Sequence, residues 1–199
     1  MSDGPTVGLV QLNVSDDPAR NLPVTRALLR EAAGRGADWV MTPEATNLLG
    51  ASRELQDRLL HVEAEDPTLA ALRGDARDLG IWLLIGSLSL KTDEPGDGRL
   101  ANRSFLIGPD GGIRARYDKL HMFDVTVSER ESYRESAAFR PGSRAVLAEG
   151  PLPVGLTICY DLRFPALYRA LAQAGAQVLT VPAAFNDTTG AAHWEVLLR

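Results

Sequence analysis

The sequence predicts an α/β protein in which two layers of β-sheet form the core and helices cover the outside. Helical and strand patterns alternate in the first 90 residues, whereas paired strands dominate the middle of the chain. The length of 199 residues suffices for one domain with a sizeable core, and no linker or repeat interrupts it. Its 45% hydrophobic and 24% charged residues are typical of a globular protein.

Helix caps and helix-terminating glycines mark the ends of the helices predicted in the first half of the chain. Residues 22–33 carry apolar side chains at helical spacing and are followed by two glycines. The helix predicted over residues 66–79 has Asp66 as its N-cap and Gly80 as its stop signal. The same criteria predict a further helix over residues 52–63 and strands over residues 6–14, 38–42 and 81–90.

Turn signals dominate the second half. The Pro-Asp-Gly-Gly turn at residues 109–112 predicts a hairpin between strands over residues 103–107 and 112–117. Residues 121–142 show weak periodicity and are predicted to form a long functional loop. The remaining predictions are a polar loop over residues 91–98, strands over residues 145–148, 152–158 and 177–181, and helices over residues 164–174 and from Ala192 onward.

Composition excludes several classes of partner. The formal net charge of -5 argues against nucleic acid or an anionic membrane surface as the main partner. A single cysteine excludes an internal disulfide and suits a reducing compartment. We find no signal peptide pattern and no apolar run long enough to span a bilayer. These observations predict a cytoplasmic protein.

The only cysteine, Cys159, lies where a buried strand passes into a helix that begins near Pro165. At such a turn the partial positive charge of the helix N-terminus favours the thiolate, which makes the sulfur a nucleophile. A buried, inert thiol is the alternative, and on Cys159 alone this alternative is favoured. Other residues must therefore decide between the two.

Two further strand ends carry charged residues, Glu44 and Lys119. The only lysines in this arginine-rich chain are Lys91 and Lys119, which indicates that Lys119 serves a site requiring a compact ammonium. Each residue alone is also compatible with a loop position. Three strand ends that deliver Glu, Lys and Cys in this order are a more specific signal than any one of them.

At these residues the chain resembles the nitrilase superfamily of carbon–nitrogen hydrolases. The matching segments are residues 42–45, 117–124 and 156–165, and residues 189–199 resemble the branch that contains deaminated glutathione amidases and omega-amidases. The resemblance implies a four-layer α-β-β-α sandwich that forms a homodimer or higher homo-oligomer. It also implies a thiol-dependent amidase whose partners are a small-molecule amide and water.

The chemistry implied is hydrolysis of a linear amide in a carboxylate-bearing substrate, through a cysteine thioester, with release of ammonia. Cys159 would be the nucleophile and Glu44 the proton shuttle, while Lys119 and the backbone N–H of Tyr160 would hold the oxyanion. Burial is expected to raise the pKa of Glu44, with Lys119 moderating the rise. No metal or organic cofactor is required. Glu135 matches a second glutamate of the family and would orient Lys119.

Four residues match positions of substrate contact in the family: Arg163, His121, Phe185 and Thr189. Arg163 would recognise a substrate carboxylate with its planar guanidinium, or would be a surface cation at the start of a helix. The alternatives for His121, Phe185 and Thr189 are a structural histidine, a core side chain and a helix cap. We expect Asp161 to support the turn by hydrogen bonds to the backbone.

Three alternatives remain open at this stage. The same triad can serve a nitrile or N-carbamoyl hydrolase, and a scaffold of this type can also be a non-catalytic interaction protein. The third is an incomplete chain: the last helix reaches Arg199 without a stop signal, whereas family members continue with further strands. Residues 1–199 would then be a single domain lacking the C-terminal part, with unpaired sheet edges, and poorly soluble or weakly active alone.

Overall fold

The computed structural model describes residues 4–92, 98–128 and 131–199. The strands in chain order are β1 (Val7–Leu9), β2 (Trp39–Met41), β3 (Trp82–Leu90), β4 (Ala101–Ile107), β5 (Ile113–Asp118), β6 (Asp124–Ser128), β7 (Glu131–Arg134), β8 (Val146–Ala148), β9 (Val154–Leu156) and β10 (Val178–Leu179). The α-helices are α1 (Pro18–Gly34), α2 (Arg53–Leu59), α3 (Pro67–Leu79), α4 (Pro165–Gln173) and α5 (Asp187–Leu198). Short 3₁₀ helices span Glu63–Glu65, Glu135–Ala137 and Cys159–Arg163.

The strands form two main sheets. The first has the order β1-β2-β3-β4-β5, and the second has the order β10-β9-β8. Strands β1, β2 and β3 pair in parallel, whereas β3, β4 and β5 pair antiparallel. The parallel pairs are joined through helices, whereas the antiparallel strands β4 and β5 are joined by the turn over residues 108–112. These connections agree with the early alternation of patterns and with the predicted hairpin. Strands β6 and β7 form a separate hairpin.

The central strands β2, β3 and β4 of the five-stranded sheet are buried on both faces. On the outer face of the sheet Leu29 of α1 and Leu72 of α3 belong to one apolar cluster with Leu83, Ile85 and Phe105. All five side chains are fully buried. Helices therefore cover this side of the sheet, as the apolar stripes of 22–33 and 66–79 predict.

The inner face of the same sheet packs against the second sheet. Trp39 of β2, Leu84 of β3 and Leu106 of β4 form a second cluster with Val154 and Leu156 of β9. Because successive strand residues point to opposite faces, the neighbours Leu83 and Leu84 contribute to different clusters.

Helix α4 covers the outer side of the second sheet, at Gly155 of β9. A Cβ at Gly155 would lie 2.8 Å from Leu179 Cδ2 and 3.1 Å from Leu171 Cβ of α4, so the absence of a side chain permits close packing. The layers are therefore helix, sheet, sheet and helix. The predicted four-layer sandwich is confirmed.

Several predicted bounds are wrong in detail. Only Val7–Leu9 of residues 6–14 and Val154–Leu156 of residues 152–158 form strands, since the other residues lack ladder partners. The helix predicted over residues 52–63 ends at Leu59, and a 3₁₀ turn follows. Helix α5 begins at Asp187 rather than Ala192, because the side chain of Asn186 caps it by accepting from Thr189 N at 2.8 Å.

The segment over residues 121–142 is more ordered than the predicted loop. It contains the β6–β7 hairpin and the 3₁₀ helix Glu135–Ala137. Strand β6 does alternate polar and apolar residues, with Val125 and Val127 less exposed than Asp124 and Thr126, whereas β7 is mostly exposed and shows no such alternation. Most of the predicted loop over residues 91–98 lies outside the described residues. In the described part of the chain, no helix is both long and apolar enough to cross a membrane.

Candidate active site

Cys159 occupies a strained turn directly after the second sheet. It is the first residue of the 3₁₀ helix Cys159–Arg163 and has a φ of 46°, a left-handed conformation that costs free energy for a residue with a side chain. Its backbone N–H donates to the carbonyl of Pro182 at 2.9 Å. The turn places Cys159 in the wall of a cavity that Glu44 and Lys119 also line.

Asp161 holds this turn in place from a fully buried position. Its carboxylate accepts from the backbone N–H of Ile158 at 2.8 Å and from the Tyr117 hydroxyl at 2.6 Å. It also accepts from the backbone N–H of His121 at 3.0 Å and contacts the Nδ1 of that residue at 2.7 Å. The predicted turn-supporting role of Asp161 is confirmed.

Glu44 follows β2 and is fixed at both carboxylate oxygens. Its Oε1 accepts from Lys119 Nζ at 2.9 Å and from Asn102 Nδ2 at 3.0 Å, and its Oε2 accepts from the backbone N–H of Ala184 at 3.0 Å. The next residue, Ala45, has a φ of 55°, and its N–H donates to Ser87 Oγ at 2.8 Å. The carboxylate therefore has little freedom to turn.

Lys119 lies between two carboxylates immediately after β5. Besides Glu44, its Nζ contacts Oε1 and Oε2 of Glu135 at 3.0 and 2.9 Å. Its side chain is only 2% exposed. Glu135 begins the 3₁₀ helix after β7 and also accepts from the backbone N–H of Phe123 at 2.6 Å. The structure thus brings Glu44, Lys119, Glu135 and Cys159 together around one cavity.

The buried charges of Glu44 and Lys119 stabilise each other. Burial alone would raise the pKa of Glu44, but the Lys119 ammonium and the hydrogen bonds outweigh burial and lower it. The expected net rise is therefore wrong, because the sequence does not give the contact distance. Burial likewise opposes the charge of Lys119, yet the carboxylates of Glu44 and Glu135 raise its pKa well above the usual range. The pair is ionised at neutral pH.

The thiol of Cys159, by contrast, is protonated at rest. Burial raises its pKa, the negative charge of Glu44 raises it further, and the opposing effect of Lys119 is smaller. The expectation that the helix terminus favours the thiolate is therefore wrong for this resting state. A nucleophile in this state requires a base that removes its proton, and Glu44 is adjacent.

The cavity has a volume of about 690 Å³. Its wall is polar around the four chemical groups and apolar elsewhere, where Leu48, Leu49, Phe123, Phe139 and Phe185 line it. Arg134 adds a cationic group to the wall. A cavity of this size, with few convergent polar groups in an apolar wall, fits a small organic molecule.

The predicted substrate contacts occupy different positions around the cavity. Phe185 lines it. Arg163 is outside the lining and packs on Phe185, with its guanidinium carbon 5.7 Å from the centre of that ring and 5.6 Å from the centre of the Tyr160 ring. Arg163 Nε is buried without a hydrogen-bond partner among the described residues. His121 is outside the lining and stacks on Phe164 with ring centroids 3.6 Å apart.

Thr189 and Tyr160 are also outside the lining. The hydroxyl of Thr189 donates to Asn186 Oδ1 at 2.7 Å in the first turn of α5. Asn186 is the cap of this helix, so the helix-cap alternative for Thr189 is wrong. The ring of Tyr160 packs against Phe123 and Phe164, and its backbone N–H directly follows Cys159.

Three groups of the site could not be predicted from the sequence: Asn102, Arg134 and the backbone N–H of Ala184. Asn102 directly precedes the strand predicted over residues 103–107, although β4 begins at Ala101, and Arg134 has charged neighbours that resemble a solvated loop. A backbone N–H carries no sequence signal at all. Only the fold places these groups beside the carboxylates.

Residues 6–199 match the profile of the carbon–nitrogen hydrolase family. The chain belongs to this family. The deaminated glutathione amidase of Yersinia enterocolitica is 38% identical over 97% of this chain, and the omega-amidase of Danio rerio is 37% identical over 97% of it. The predicted family, its amidase branch and the enzyme class, a thiol-dependent amidase, are confirmed.

Solved structures of this hydrolase family agree with the fold. The NitFhit protein of C. elegans covers 100% of this chain with a TM-score of 0.87 and 31% identity. A mutant of the amidase from Nesterenkonia sp. AN1 covers 98% with a TM-score of 0.79 and 28% identity. That mutant carries the acetamide moiety of fluoroacetamide, covalently added at its active-site cysteine.

The chain spans only part of these hydrolases. It covers 67% of the Yersinia enterocolitica protein and 68% of the Danio rerio protein. It covers 71% of the Nesterenkonia amidase and 48% of NitFhit, which is about half of that chain.

Proposed function

We propose that the protein hydrolyses the amide C–N bond of a small carboxylate-bearing substrate through a thioester on Cys159, releasing ammonia. The observation that carries this proposal is the convergence of Cys159, Glu44, Lys119 and Glu135 on one cavity. An unactivated amide requires a nucleophile, a proton shuttle and an oxyanion donor, and these side chains supply all three.

In the first half-reaction the sulfur of Cys159 attacks the amide carbon while its proton passes to Glu44. The carbonyl oxygen gains negative charge and is held by Lys119 Nζ and the backbone N–H of Tyr160. Lys119 makes two of its contacts with Glu135, so one donor can turn to the oxyanion while Glu135 stays paired. Glu44 then returns the proton to the nitrogen as the C–N bond breaks, leaving ammonia and a thioester.

In the second half-reaction water replaces ammonia. Glu44 takes a proton from the water, whose oxygen attacks the thioester carbon, and the same donors hold the new oxyanion. Collapse of this intermediate breaks the C–S bond, releases the carboxylic acid and returns the proton to the thiol. Glu44 is suited to both halves, because its lowered pKa leaves it ready to accept a proton at neutral pH.

Two arginines support a carboxylate-bearing substrate. Arg134 lines the cavity, and Arg163 packs on Phe185 in the cavity wall with an unpartnered, buried Nε. A planar guanidinium recognises a carboxylate through two parallel hydrogen bonds. We assign this recognition to Arg163, whose guanidinium lies over the Phe185 ring.

The proposed function is tested by measuring ammonia release from matched substrates. We expect turnover of succinamate, weaker turnover of the neutral amide butyramide, and one equivalent of acid for each ammonia. Propionitrile and an N-carbamoyl amino acid complete the panel. Preferred turnover of either of these two, or ammonia release from none of the four, would contradict the proposal.

The role of Arg163 gives a separate prediction. Arg163→Met should raise KM for succinamate on the order of 10- to 100-fold and change it little for butyramide, because a charge-assisted hydrogen bond contributes roughly 1.5–3 kcal/mol. Steady-state kinetics with both substrates measure this difference. Arg134→Met is the matched variant: if it shows the selective loss instead, Arg134 is the recognition group. Equal effects of Arg163→Met on both substrates would make that residue structural.

A further inference from the structure

Asn102 links the two carboxylates of the site. It lies in β4, where it pairs with Ser89 of β3, and its side chain is almost completely buried. Its Nδ2 is 3.0 Å from Glu44 Oε1 and 3.3 Å from Glu135 Oε1. The backbone carbonyl of Asn102 also accepts from the backbone N–H of Lys119 at 3.0 Å, so the same residue contacts both carboxylates and the main chain of the lysine.

The orientation of this amide follows from its partners. An ionised carboxylate can only accept hydrogen bonds, so the atom facing both carboxylates must be the NH₂ group. Each of its two N–H groups then donates a hydrogen bond to one carboxylate. The opposite atom, Asn102 Oδ1, is buried without a hydrogen-bond partner among the described residues. Leaving a buried acceptor unpaired is unfavourable, and here the contacts of the NH₂ group offset that cost.

The charges explain what the amide contributes. Glu44 and Glu135 carry two negative charges, whereas Lys119 supplies one positive charge to both. The NH₂ group adds positive partial charge at Oε1 of both carboxylates, the same oxygen atoms that Lys119 Nζ contacts. Hydrogen bonds to the ionised form of a carboxylate favour that form.

We propose that Asn102 is a positioning residue that keeps Glu44 ionised and aimed at Cys159, so that Glu44 can act as the base. The inference rests on the proposed function for its catalytic meaning. Without Asn102, Glu44 Oε1 would keep only its contact with Lys119, and part of the support for its negative charge would be lost. Glu44 would then take up a proton at higher pH and cease to accept one from the thiol.

The first test is the pH dependence of kcat/KM for succinamate with Asn102→Ala. We expect the acid limb of the profile to move to higher pH, and kcat to fall roughly 10- to 100-fold with little change in KM. Asn102→Asp keeps the shape but replaces the donors with a further carboxylate, whose repulsion also raises the pKa of Glu44, so it should shift the limb further in the same direction. A residue that only stabilises the fold would lower the amount of active protein without moving the limb.

Asn47 provides the matched control. It is also a buried asparagine, and within the described residues its side chain bonds only the backbone N–H and carbonyl of Ser89. Asn47→Ala should lower the melting temperature but leave the acid limb where it is in the unmodified protein. If Asn102→Ala and Asn47→Ala have the same effect on the profile, the positioning role is refuted.

A second readout does not require amidase activity. Iodoacetamide alkylates Cys159: the sulfur bonds to the methylene carbon, iodide leaves, and the thiol proton passes to Glu44. Alkylation rates from intact-protein mass spectrometry should show the same shift of the acid limb in Asn102→Ala. If the protein hydrolyses no amide but this shift is present, the proposed function fails while the role of Asn102 stands. An unshifted alkylation profile would overturn that role.

Discussion

Cys159→Ala is expected to abolish amide turnover while leaving the fold intact. The substitution removes a single buried sulfur atom from the core but eliminates the covalent step altogether. Intact-protein mass spectrometry with a slow substrate should show an acyl adduct on the unmodified protein and none on the variant. Ammonia release by the variant at the normal rate would contradict the assignment of Cys159 as the nucleophile.

The control for this experiment is Cys159→Ser, which keeps a nucleophilic atom at nearly the same position. A serine hydroxyl holds its proton far more tightly than a thiol, so Glu44, which can accept the proton of the thiol, removes that of the hydroxyl far less readily. We therefore expect the serine variant to be nearly as inactive as the alanine variant. Circular dichroism and a thermal melt of both variants establish that the loss is chemical rather than structural.

The positions of Glu44, Lys119 and Cys159 could be predicted because each follows a strand. Strand ends carry local signals in the sequence, such as the alternation before Lys119 and the Pro-containing turns after the other two strands. The sandwich brings these ends to one cavity. The strand-end pattern marked the three positions, and the resemblance of the surrounding segments to the family implied their roles.

The electrostatics could not be predicted in the same way. The pKa of Glu44 depends on Lys119 Nζ at 2.9 Å and on Asn102, which is 58 positions away in the chain. Burial alone gives the wrong sign, since it acts against the charge that these contacts stabilise. The same reasoning applies to Cys159, where the local helix terminus is outweighed by burial and by a carboxylate from a distant strand end.

The pKa shifts of Glu44 and Lys119 also determine how the free energy of unfolding depends on pH. The lowered pKa of Glu44 contributes stability that is present above the unfolded-state pKa and is lost as pH falls through the folded-state pKa. The raised pKa of Lys119 contributes stability at all pH values below its unfolded-state pKa, and this is lost only as pH rises through the folded-state pKa. Acid therefore weakens the ion pair well before alkali does.

Substitution of Lys119 is expected to have the other large effect, and two variants separate its charge from its shape. Lys119→Arg keeps the charge, but the wider guanidinium does not fit an ammonium position enclosed by Glu44, Glu135 and Asn102. Because an oxyanion donor is lost, kcat should fall on the order of 10²–10³-fold. Steady-state ammonia release measures this loss, and an arginine variant that keeps most of its kcat would show that Lys119 does not hold the oxyanion.

Lys119→Met removes the charge and leaves two buried carboxylates without a cation. Breaking one side of a buried ion pair typically costs about 3–5 kcal/mol, so the free energy of unfolding should fall by an amount of that order. Protonation of one carboxylate relieves the repulsion, and the deficit relative to the unmodified protein should therefore shrink as pH falls. Denaturant unfolding of both proteins at several pH values tests this, and a deficit that is constant with pH would mean that the Lys119–Glu44 pair is not the source of the loss.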